Sequence, residues 1–152
     1  MKRETLIVGA LLGAVAVVIL SLAVLCTYAE AHGASPMWRW PFRIICHGIP
    51  HRCLFLFGAR MPICARCTAI YVGLIAGVVA FLIAPWMHER LLRVTAFAAA
   101  LPMAIDGFTQ LLRLRESTNI LRIATGFPAA FFFVMWAMSA IERRGEETFT
   151  TS

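Results

Sequence analysis

Four apolar windows, residues 6–29, 67–86, 94–112 and 123–141, contain between them a single charge, Asp106. Each approaches or exceeds the roughly 18 to 20 residues that carry a helix across about 30 Å of hydrocarbon. Inside a bilayer the backbone has no water to bond with, so windows of this length and purity are helices. Charged residues make up 14% of the 152-residue chain and apolar ones 61%. Soluble domains carry roughly a quarter and a half respectively, and a globule this small has too little interior to hide the difference. The sequence therefore predicts an all-α, multi-pass membrane protein, one domain with four transmembrane helices. Soluble enzymes, secreted disulfide scaffolds and nucleic-acid modules are excluded as readings, and the pI of 9.6 does not restore the last.

The first window follows Met1-Lys2-Arg3 and ends near Ala29-Glu30-Ala31, which resembles a signal peptide with its cleavage site. Secretory apolar cores run to only about 7 to 15 residues, so an uncleaved first helix is expected. Gly9 and Gly13 give it a small-residue pair for close helix contact.

Thirteen of the fourteen cations are Arg, placed in connections and at helix ends rather than in a run. Arginine's planar fork matches phosphate and carboxylate, so lipid head groups are the expected partners, with topology signalling and interfacial anchoring the simpler use of each one. Four spans put the connections 30–66 and 113–122 on the same membrane face, whichever way the bundle points. That face carries eight basic residues (Arg39, Arg43, Arg52, Arg60, Arg66, Arg113, Arg115, Arg122) against six on the other (Lys2, Arg3, Arg90, Arg93, Arg143, Arg144). The positive-inside tendency then favours a cell-membrane protein with both rich connections in the cytoplasm.

The first of these connections holds four of the five cysteines and two of the four histidines within residues 46–67. Trp38, Trp40 and Arg39 beside Pro41 suggest an interfacial belt, and the Gly- and Pro-broken apolar pieces suggest an interfacial or re-entrant loop. Cys64-Ala65-Arg66-Cys67 opens the second span, where free backbone N–H groups and the helix dipole favour thiolate. Cys64, Cys67, Thr68 and Tyr71 fall on one helical stripe facing the loop, with Ala69, Gly73 and Gly77 as a small face behind. Two thiolates from this pair, with Cys46 or His47 and one more ligand, make the tetrahedral sulfur–nitrogen set that zinc prefers. Neighbouring residues seldom both ligate, so one of Cys46 and His47 is expected to bind and the other to support or react; Cys53 and His51 are reserves. The same thiols also resemble two exchangeable pairs, Cys46 with Cys53 and Cys64 with Cys67, a layout shared with small four-helix membrane oxidoreductases that use quinone. Cys26, isolated in an apolar helix, reads as packing.

The second constellation is Pro102, Asp106, Thr109, Gln110 and Arg113, a polar stripe on the third span. Asp106 is the sole aspartate, and an unpaired charge there costs a few kcal/mol, so pairing with an Arg is the economical inference. Arg115, Asn119, Arg122 and Gly126, with Ser117 and Thr125 near, form a second polar face that can converge on the first. A buried ion pair that only locks helices together is the simpler alternative to a ligand site.

Together these segments resemble a small prokaryotic membrane family catalogued as a domain of unknown function. The resemblance is carried by Cys46-His47, Arg52, Pro62-Ile63-Cys64-Ala65-Arg66-Cys67-Thr68, Tyr71 and Gly73, then Asp106-Gly107-Phe108-Thr109-Gln110, then Arg115-Glu116-Ser117-Thr118-Asn119-Ile120-Leu121-Arg122 and Thr125-Gly126. It covers about residues 46–126. Where this chain has His51 and Cys53 the family commonly has Glu and Ser, which counts against a Cys46–Cys53 relay and favours a site on Cys46, His47, Cys64 and Cys67. The family brings no activity with it.

The expected site thus holds zinc on Cys64, Cys67 and Cys46 or His47, with His47 and Asp106 as candidate reacting groups. Arg52, Arg66, Arg115 and Arg122 would receive an anion, and Asn119, Gln110 and Thr109 would add neutral hydrogen bonds. The reading is a membrane enzyme acting on an anionic lipid-borne group such as a phospholipid or polyprenyl phosphate. A quinone-linked thiol oxidoreductase and a small carrier or assembly factor are the alternatives. His32, His88 and the group Phe127, Phe131, Phe132, Phe133 and Trp136 read as interfacial or packing residues, and the tail from Glu142 as a loosely ordered end.

Overall fold

Helices α1 (Arg3–Ala31), α2 (Ala65–Ile83), α3 (Glu89–Leu111) and α4 (Asn119–Thr150) fall on the four apolar windows, α1 and α4 enclosing theirs and α2 and α3 ending at Ile83 and Leu111, and carry most of the chain. All four are long and apolar enough to span a membrane. The structure, a computed structural model, describes residues 3–84, 87–112 and 115–150, with side chains as far as residue 143. Trp86 of the second expected span, Arg113 of the polar stripe, and Lys2 and the Arg144 side chain from the basic tally lie outside the described residues. The tail differs from expectation, because α4 continues through it to Thr150. Glu142, Arg143, Glu146 and Glu147 are all good helix formers and only Gly145 opposes them.

α4 is the hub, packed along α2 and α3, while α1 lies against α2 and the extended segment before it. The α2–α4 seam is close because α2 presents glycine. A Cβ on Gly73 would fall 2.5 Å from the Phe127 carbonyl oxygen, and one on Gly77 would fall 2.3 Å from Val134 Cγ1. Of the pair on α1, Gly9 makes the tight approach, to Met138 of α4, and Gly13 has ordinary room. Apolar burial gains little inside lipid, so such close contact is what joins these helices. Val78, Phe81, Leu92, Val134, Met135 and Met138 fill the bundle toward one end. At that end Thr5 donates to Glu142 at 2.6 Å, and Arg143 meets Glu89 at 3.4 Å.

The connection between α1 and α2 is more ordered than an interfacial loop. Ser35 accepts from the Met37 N–H to start a 3-10 helix, Pro36–Ile44, and a second 3-10 turn spans Pro50–Arg52. An antiparallel hairpin follows, β1 (Cys53–Leu56) and β2 (Ala59–Cys64), in register Cys53↔Cys64 and Leu56↔Ala59. Phe57 and Gly58 turn it with φ of 55° and 81°, the positive pair that a type I′ turn requires. An aromatic residue in that region costs of order 1 kcal/mol, and here its ring sits edge-on to Tyr28 of α1 with centroids 5.7 Å apart. Arg39 ties the 3-10 helix down, pairing with Glu30 at the end of α1 and donating to the Arg60 carbonyl at 3.2 Å. Ala23, Cys26, Phe42, Cys46, Met61 and Ile63 form a small core beneath this cap.

Candidate metal centre and arginine site

The cap brings three thiols together. Cys46 follows the 3-10 helix, its N–H bonded to the Phe42 carbonyl at 2.8 Å; Cys64 ends β2 and caps α2; Cys67 lies in the first turn of α2. Their Sγ atoms all lie within 4.8 Å of one another. Around a tetrahedral zinc with Zn–S bonds of about 2.3 Å, sulfurs stand about 3.8 Å apart, so the donor set fits with a small inward movement.

Backbone amides reinforce the cluster. The Cys64 N–H donates to Cys46 Sγ at 3.2 Å, and the Gly48 N–H bonds the same sulfur. Hydrogen bonds from the Cys64 and Cys67 thiols, with these amides, hold Cys46 below the usual thiol range against the opposing effect of burial. Gly48 can turn its amide inward because it adopts φ of +55°, and a Cβ there would lie 3.1 Å from the Pro62 carbonyl oxygen. Thiolate stabilised by amides is the form in which cysteine binds a metal or attacks a disulfide.

Other thiols and imidazoles stand apart. Cys53 is opposite Cys64 in the hairpin, yet its thiol donates to the Ile49 carbonyl at 3.3 Å, and burial pushes it up to about 11. His47 is exposed and outside the three-thiol group. His51 is exposed 3.9 Å from Glu116, and Cys26 faces Glu30. Between the neighbours Cys46 and His47, geometry places Cys46 with the pair on α2. Cys53 lies within electrostatic reach of Cys46 and Cys64 but is not one of the three clustered sulfurs.

The second rich stretch meets the first at the same end of the bundle. Arg66, between the two clustered cysteines of α2, reaches the Asp106 carboxylate on α3. Two glycines lie along it: a Cβ on Gly107 would stand 3.7 Å from its guanidinium, and one on Gly126 would lie 3.2 Å from its carbonyl oxygen. Asp106, 3% exposed, also receives Arg115 at 3.3 Å and the Gln110 amide at 2.8 Å, and the Ser117 hydroxyl bonds it. The other end of the Gln110 amide accepts from Arg122 at 3.3 Å, and Arg122 donates to Asn119 at 2.8 Å. Asn119 in turn donates to the Cys53 carbonyl at 3.4 Å, closing a chain of contacts from α2 through α3 and α4 back to the hairpin. Thr109 turns toward its own helix, donating to the Asp106 carbonyl at 3.1 Å.

Arg122 is the largest fully buried side chain, 2% exposed, and among the described residues its hydrogen-bond partners are neutral amides. Arg52 and Arg66 both lie within electrostatic reach of it. Arg52, half-buried, contacts His51 at 3.4 Å. Arg66 and Arg115 thus bond one carboxylate, Arg122 lies within electrostatic reach of it, and Arg52 lies within reach of Arg122. Sequence reasoning names these residues, and Gly107 within the family-like segment, but assigns no role to Gly48, whose only signal is its position beside Cys46-His47. It also overlooks the Glu30–Arg39 tie that positions the cap.

This is a four-span membrane protein with a thiol cluster and a buried arginine–carboxylate network joined at one end of its bundle. The chain belongs to a family described as a predicted membrane protein, DUF2085, which matches residues 46–136 and so begins at the first clustered cysteine. It is 39% identical over 99 residues to an uncharacterised protein of Methanocaldococcus jannaschii, an alignment covering 64% of each chain. An uncharacterised protein of Methanothermobacter thermautotrophicus is 41% identical over 88 residues, 58% of this chain and 79% of the relative. The aligned segment thus spans under two thirds of the first relative's length. No solved structure matches the chain.

Proposed function

We propose that the protein is a membrane enzyme that holds one zinc ion on Cys46, Cys64 and Cys67 and acts on an anionic group carried by a lipid. The observation behind this reading is Arg66: it lies between Cys64 and Cys67 in sequence and bonds Asp106, so two of the clustered thiols and one arginine of the network share the start of α2. Three thiolates leave one tetrahedral position for His47, after rearrangement, or for a ligand, and zinc bound there would supply Lewis acidity beside the arginines. Arg52, Arg66, Arg115 and Arg122 outnumber Asp106, and a phosphate or phosphodiester would balance them. Asp106 orients Arg66 and Arg115, while Gln110 and Asn119 hold Arg122. On the basic count, the site faces the cytoplasm of the cell membrane.

Elemental analysis of the detergent-purified full chain tests the metal. About one zinc per chain is expected, lost in Cys64→Ser and retained in Cys53→Ser. Turnover of a labelled phospholipid or polyprenyl phosphate is expected to fall at least a hundredfold in Arg122→Gln with zinc retained. A metal-free protein whose thiols cycle under reductant and quinone would replace this reading with thiol exchange, which the thiolate character of Cys46 favours. Dispensable cysteines together with lipid transport lost in Asp106→Asn would instead mark a carrier.

A further inference from the structure

Two cavities on the outer side of the cap share a wall. One, of about 660 Å³, is lined by residues that include Trp38, Trp40, Arg43, His47 and Arg60. The other, of about 440 Å³, is a slot between α1 and the 3-10 helix, lined by apolar residues from Ile19 and Leu22 to Ala29, with Phe42 and Ile45 above. Trp38 and Pro41 line both. Arg39 in the first cavity is neutralised by Glu30, whereas among the described residues neither Arg43 nor Arg60 has a carboxylate within 4.0 Å.

From Ile19 to Ala29 the slot follows about 15 Å of helix, the depth of one leaflet of a bilayer whose hydrocarbon is about 30 Å thick. It opens at the end of α1, at head-group level, onto the cavity that holds the two uncompensated arginines. Exposed Trp38 and Trp40 suit the same level, where aromatic rings with a polar edge collect. We propose that these cavities together bind one anionic phospholipid, its phosphodiester between Arg43 and Arg60 and one acyl chain along α1. Charge complementarity selects an anionic over a zwitterionic head group, and the depth of the slot selects a membrane lipid over a soluble phosphate. The site uses none of the clustered thiols and none of the arginines around Asp106; it shares with the enzymatic reading only His47, which lines its wall.

The test uses the full chain in phosphatidylcholine bilayers with Trp38 as sole fluorophore, Trp40, Trp86 and Trp136 being replaced by Phe. Brominated phosphatidylglycerol is expected to quench Trp38 at about tenfold lower mole fraction than brominated phosphatidylcholine. Arg43→Gln/Arg60→Gln should erase that preference while leaving helical circular dichroism and zinc content unchanged. Arg43→Gln alone, on an exposed side chain, should weaken the preference even if the double variant does not fold. Equal quenching by both lipids, a preference that survives Arg43→Gln undiminished, or its abolition by millimolar glycerophosphate would overturn the proposal. Zinc measured in the same preparation separates its failure from failure of the metal centre.

Discussion

At one end of the bundle Glu89 and Arg143 meet at 3.4 Å with side chains 23% and 45% exposed; at the other Asp106, 3% exposed, is shared by Arg66 and Arg115. The two ends carry similar numbers of basic residues, but among the described residues only one end draws them into the protein. A surface pair contributes about 0 to 1 kcal/mol, because water already solvates both partners. A buried carboxylate among arginines is different: its removal leaves positive charge in a poorly solvated place. Burial, rather than charge count, distinguishes a site from a rim.

Asp106→Asn breaks the contrast most severely. It keeps the shape but removes the negative charge from Arg66 and Arg115, and a loss of about 3 kcal/mol or more is expected in unfolding of the detergent-solubilised protein. An Asn variant as stable as the wild type would put the buried end on the same footing as the rim.

Cys53 sharpens the comparison through pH. Its thiol is pushed by burial from 9.0 to about 11. Below about pH 9 it is neutral whether the chain is folded or not. As pH rises from there toward 11, the unfolded chain releases this proton first, so stability falls across that window, by about 2 kcal/mol from this group. Cys53→Ser, which can still bond the Ile49 carbonyl, should remove that component of the fall; unfolding measured from pH 8 to 11 in both proteins checks it.

The smallest effect belongs to the rim. Glu89→Gln should shift stability by less than about 1 kcal/mol, and the shift should shrink further in high salt. A loss comparable to that of Asp106→Asn would erase the distinction between the ends.

Much of this arrangement is legible in the residues. The four spans follow from uninterrupted apolar length, and parity alone brings 30–66 and 113–122 to one face. Asp106 identifies itself as the sole charge in the windows and pairs with Arg66 and Arg115. The hairpin is not legible, because Cys53-Leu54-Phe55-Leu56 is apolar on both strand faces and lacks the alternation that marks a half-buried strand. Its turn is disguised too, with Phe57 where Asn or Asp would advertise a type I′ pair. The choice between Cys46 and His47 is likewise hidden in spacing: it depends on Gly48 turning an amide back onto Cys46, a matter of backbone conformation.

The course of Arg66 along Gly107 and Gly126 ties two chemistries to one residue. Its backbone belongs to the turn that carries two sulfurs, and its far end rests on a carboxylate 40 residues away in the chain. One side chain therefore spans the gap from the sulfur-bearing turn to α3 with nothing interposed.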